Sequence, residues 1–151
     1  MRWNVCILAL FVAILLLPTG KAHAQRSEIS RIVAVLENNG VDVTDLVKRN
    51  SKKEMYYRSK TVQFISKKGI YAKQLESAFE KAGEDANSVS SHKQGNKKTI
   101  RLLFKEEKLM FIYDLTIQGK PEEPQVKVEI CERDPAIDAE MDILTLKFDL
   151  H

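Results

Sequence analysis

Between residues 109 and 117 an apolar side chain recurs at every second position: Leu109, Phe111, Tyr113, Leu115 and Ile117. A period of two puts all five on one face of a β-strand, so this segment belongs in a sheet with one face turned to a core. Ile100, Leu102 and Phe104 repeat the pattern before it, and Val126, Val128 and Ile130 repeat it after the loop Gly119–Pro124. Earlier in the chain, Val41–Arg49 and Met55–Ser66 flank the polar run Asn50–Glu54 and read as a hairpin. Asn87–His92 reads as a polar strand. Leu144, Leu146, Phe148 and Leu150 alternate with Thr145, Lys147 and Asp149, which predicts a final strand.

Two segments follow the helical period instead. Ile29, Ile32, Val33 and Leu36 are spaced i, i+3, i+4, i+7, and Gly40 suits the left-handed position that ends a helix. Tyr71, Leu75, Ala78, Phe79 and Ala82 form a second stripe, followed by Gly83. Shifting the chain by 43 residues lays Leu36-Glu37 on Phe79-Glu80, Gly40 on Gly83 and one hairpin turn on the next. The expected fold is therefore α+β: two amphipathic helices packed on one face of a mainly antiparallel sheet of about six strands, with a possible duplicated αββ unit. Residues 25–133 form a single domain in this reading, and 134–151 an acidic linker with the C-terminal strand.

Residues 1–24 read as a cleaved signal peptide. Arg2 provides the positive start, Val5–Leu17 the apolar run, Pro18 and Gly20 the break, and Ala22-His23-Ala24 the small-x-small cleavage pattern. The run has 13 residues, whereas a membrane span needs about 20. No transmembrane segment is expected after cleavage, and the location is periplasmic or secreted. The 127 residues left carry 22 Lys and Arg against 21 Asp and Glu. Charge is unevenly spread, with nine cations against Glu54 alone between Lys48 and Lys73. Cys6 leaves with the leader, so Cys131 has no internal partner and the core must hold the fold.

No nucleophile elbow, zinc-protease helix, paired-cysteine motif or phosphate-binding glycine loop occurs. A nucleophile and base would have to be Cys131 and His92, on separate strands. Asp138, Glu140 and Asp142 imitate the first ligands of a calcium loop, but Ile143 stands where glycine is required, so no metal or other cofactor is expected. The segment Met55–Lys60 mixes rings and cations in a way that could meet nucleic acid. A near-neutral exported chain makes an anionic ligand or another envelope protein the better partner. The candidate binding residues are Lys52, Lys53, Tyr56, Arg58 and Lys60.

The runs Asn39–Val43, Lys48-Arg49-Asn50, Arg58-Ser59-Lys60, Tyr71–Glu80 and Asp85–Val89 resemble a family of short exported Bacteroidetes proteins built around one domain of unknown function. That resemblance covers about Gln25 to Glu132 and implies a Gram-negative periplasmic or secreted setting without assigning catalytic residues. The leading expectation is an exported, small, non-enzymatic binding module that uses its open sheet face or the basic hairpin. The alternative is an inhibitor of a periplasmic or secreted enzyme with Gly119–Pro124 as its probe, and a minor one is a small hydrolase.

Overall fold

A computed structural model describes residues 25–148. The leader expected at 1–24, and Leu150 of the expected last strand, lie outside the described residues. Helix α1 covers 25–38. Strands β1 (Val43–Arg49) and β2 (Met55–Ile65) follow, then a 3-10 turn at Lys67–Gly69 and helix α2 (Ile70–Gly83). Strands β3 (Ser88–Gln94), β4 (Lys97–Glu106), β5 (Leu109–Gln118) and β6 (Gln125–Arg133) lead to helix α3 (Pro135–Phe148). The six strands form one open antiparallel sheet in the order β1-β2-β6-β5-β4-β3.

Register explains which residues are buried. Val62 stands opposite Val128, Val128 opposite Leu115, and Leu115 opposite Ile100, so these four share one sheet face. They join Ile29, Ile32, Val33 and Leu36 of α1, and Leu75, Phe79 and Ala82 of α2, in a single apolar cluster. Burying a side chain of this size contributes about 1.5–3 kcal/mol, and ten Val, Leu and Ile residues plus Phe79 are at 2% exposure or less. Both helical stripes and all three alternating strands expected from the sequence are present.

The start of α1 is fixed by Arg26. Its guanidinium lies over the rings of Phe104 and Phe111, 4.9 and 5.4 Å from their centroids, and pairs with Glu106. Phe104 in turn meets Tyr113 edge to face at 5.7 Å.

The C-terminal segment differs from expectation. Residues 135–148 are helical, so the predicted strand at Leu144–Phe148 is corrected to helix. Asp134 supplies the reason: its carboxylate accepts the amides of Ala136 at 3.1 Å and Ile137 at 3.4 Å, and Pro135 occupies the first helical position. The acidic residues Asp138 and Glu140 therefore lie on a helix and not in a loop. None of the helices among the described residues is long and apolar enough to cross a membrane.

Candidate functional site

The hairpin expected to bind is built by Asn50. Its side-chain oxygen accepts the amides of Lys52 at 3.0 Å and Glu54 at 2.9 Å, while its amide group donates to the Glu54 carboxylate at 2.8 Å. These bonds hold Lys53 at a φ of 63°, a left-handed conformation that favours glycine. Lys52 and Lys53 are exposed at this tip.

The other candidate residues are carried elsewhere. Tyr56 is buried, and its carbonyl accepts the amide of Asp134 at 2.9 Å, so it ties β2 to the start of α3. Arg58 and Lys60 share a strand face with Val62 and line a hollow of about 270 Å³ against α1, whose other walls include Val33, Phe111 and Ile130. Lys60 pairs with Glu37 at 3.2 Å. From tip to Lys60 the strand runs about 20 Å at 3.4 Å per residue. The five residues therefore belong to three settings: an exposed tip, a buried tether and a half-buried hollow.

Cys131 and His92 both lie on the sheet face opposite the core cluster, as the phase of Cys131 in β6 predicts. Three strand spacings and four residues separate them, about 20 Å. A proton cannot pass directly between them. Cys131 is free and buried, with Tyr57 hydrogen-bonded to it. Burial pushes its thiol above the ordinary value, the direction opposite to an activated nucleophile.

Helix α3 packs against β2, and its Asp138 meets Arg133 of β6 at 3.6 Å. Cys131 and Ser59, on the same face, are buried. Across β3, β4, β5 and β6 this face instead contains a hollow of about 390 Å³. Arg101 and Asp114, opposite one another in register, make a two-pronged pair at 2.6 and 2.9 Å. The carboxylate holds the Arg101 guanidinium charged even more firmly than usual. Lys127 approaches Glu129 at 3.7 Å, and Ser90, Thr99 and Thr116 supply hydroxyls around them.

Sequence patterning could assign these polar residues to the outward face. It could not bring four strands into the order that assembles them, because β6 enters between β2 and β5 by long-range pairing. The Gly119–Pro124 loop is held at both ends: Gly119 donates to Asn96 at 3.1 Å, and Ser66 donates to the Pro124 carbonyl at 2.9 Å. Its residues Lys120 to Glu123 are exposed. No protein-family model matches the chain, and a search of curated proteins finds no match either.

Proposed function

We propose that the protein is an exported, non-enzymatic binding module that holds another envelope protein against the open face of its sheet. The observation that supports this is the hollow across β3 to β6, where the doubly hydrogen-bonded Arg101–Asp114 pair and the looser Lys127–Glu129 pair present charges of both signs. Two-pronged pairing holds the guanidinium in one orientation before a partner arrives, which lowers the side-chain entropy lost on association. Alternating charges also steer a partner of opposite pattern into one register. The leader at 1–24 and the resemblance to exported Bacteroidetes proteins support a periplasmic or secreted setting.

The test is affinity capture from the envelope fraction with the purified protein beside an Arg101→Glu/Lys127→Glu variant of unchanged circular dichroism. A partner retained by wild type and lost by the variant is expected; equal retention by both would remove the open face from the account. The inhibitor reading keeps one support of its own, the exposed Lys120–Glu123 segment pinned at both ends. Inhibition of an envelope hydrolase that disappears on Glu122→Ala/Glu123→Ala would favour it.

The same proposal extends to the origin of the fold in two αββ units. α1-β1-β2 and α2-β3-β4 fill opposite halves of the sheet, with β5 and β6 between them. In the two helices the buried Ile29, Ile32, Val33 and Leu36 correspond to Leu75, Ala78, Phe79 and Ala82, each 46 residues on, an interval that replaces the match of Leu36 with Phe79 at 43. The turn between the second pair of strands is shorter, which brings the hairpin centres closer to the 43-residue shift.

A further inference from the structure

Cations distant in sequence meet at the end of the sheet opposite the β1–β2 turn. Strand direction places three connections there: the turn at Lys67–Gly69, the β3–β4 turn and the β5–β6 loop. Between them is a cleft of about 370 Å³ walled by Lys73, Lys93, Lys97 and Lys98. Ala72, Ile117 and Pro124 contribute apolar surface to it.

The lysines are placed against the interests of the sheet. Lys93 stands directly opposite Lys98 in the antiparallel register, and like charges in that relation destabilise strand pairing. Glu76 and Glu80 both pair with Lys98, the latter at 3.3 Å. Among the described residues Lys73, Lys93 and Lys97 have no ion pair, so the cleft retains a surplus of positive charge. Gly69, Gly95 and Gly119 lie along its rim with φ of 62°, 59° and 107°. At Gly69 the missing side chain leaves room for the Pro121 carbonyl, whereas at Gly95 nothing lies within 4 Å of the place a side chain would start, so a ligand reaches the backbone there.

An ammonium group is a compact charge with three donors. Several of them around one space suit an oxyanion that carries more than one charge, and a phosphomonoester carries about −1.5 to −2 near pH 7. We propose that this cleft binds a phosphate-bearing organic anion, with Lys73 and Lys93 on the phosphate and Ala72, Ile117 and Pro124 beneath its apolar part. The site goes beyond the open-face reading and shares no residue with it.

The experiment is a titration of the ¹⁵N-labelled purified protein with hexyl phosphate, with hexanoate at matched ionic strength as the comparison. Saturable shifts at the Gly95, Lys97 and Gly119 amides are expected with hexyl phosphate. A Lys73→Gln/Lys93→Gln variant should bind about tenfold more weakly, roughly 1.4 kcal/mol, with a Tm equal to or above that of wild type because the repulsion between Lys93 and Lys98 is gone. Should that variant fail to fold, Lys73→Gln carries the same prediction of weakened binding. Vesicles containing phosphatidate beside neutral lipid form a second arm. Variant-sensitive binding to vesicles alone would support a lipid headgroup as the source, and binding of hexyl phosphate alone a soluble one. Absence of saturable binding in both arms, equal binding by the variants, or equal affinity for hexanoate would overturn the proposal. Arg101→Glu/Lys127→Glu should bind hexyl phosphate as wild type does, so failure here is separate from failure of the open-face reading.

Discussion

Gly69 and Gly95 show how two glycines with nearly the same φ can differ in consequence. A methyl group added at Gly69 would lie 2.6 Å from the carbonyl oxygen of Pro121, whereas nothing lies within 4 Å of one added at Gly95. Left-handed backbone alone costs a side-chain-bearing residue about 1–2 kcal/mol. Gly95→Ala should therefore lose about that much in urea unfolding, and Gly69→Ala clearly more, because the β5–β6 loop must also move; equal losses would contradict the packing described. A second prediction concerns protons. Burial raises the Cys131 thiol, the pairing with Glu76 raises the Lys98 ammonium, and burial raises the Tyr113 hydroxyl. Each group binds its proton more tightly in the folded chain, so its contribution is complete below its unfolded value and is lost as pH climbs through its folded one. Thermal stability should decline on the alkaline side, starting where a free cysteine titrates, at about pH 8.5. Cys131→Ala should delay the start of that decline in a Tm series between neutral and alkaline pH. For the same reason, alkylation of Cys131 should be slow in the native protein and fast in urea.

At the scale of elements, α3 depends on a single residue at each of two joints. Asp134 caps the helix through its carboxylate and bonds Tyr56 through its amide. Removing such a cap costs about 0.5–2 kcal/mol. Asp134→Ala should raise hydrogen exchange throughout 135–141 while leaving β4 and β5 protected, and uniform exchange across the protein would show that α3 is not a separate unit. This element is also where sequence reading fell short. The longer strands and both early helices were legible because ten-residue patterns distinguish a period of two from one of 3.6. Leu144, Leu146 and Phe148 offered only a short alternation, and the stronger signal was local, an Asp-Pro cap that starts a helix. The hairpin was legible in outline as well. The placement of Tyr56 inside it was not, because the irregular pairing near the end of β1, where Lys48 meets Tyr57 and Arg49 meets Met55, skips that residue.

Across the whole molecule, the distribution of charge depends on topology more than on sequence position. The basic run from Lys48 to Lys73 looks like one surface when read along the chain, yet β2 carries its two ends to opposite ends of the sheet. Lys52 and Lys53 remain at one end. Lys67, Lys68 and Lys73 reach the other, where Lys93, Lys97 and Lys98 arrive from another hairpin. The polar face likewise exists only because β6 lies between β2 and β5. Cooperative burial of the shared core holds these surfaces in place, so truncating Phe79 to Ala, a loss of about 3–5 kcal/mol, should weaken capture and anion binding together in proportion to the fraction unfolded.

A partner protein seated on the open sheet face lies within reach of a photo-cross-linking residue placed at Thr116, inside the hollow, and out of reach of one placed at Gln74, on the exposed side of α2, when cells exporting each protein are irradiated. A discrete adduct at Thr116 that is absent at Gln74 is the predicted result. An adduct at Gln74 alone, or none at Thr116, would contradict the account.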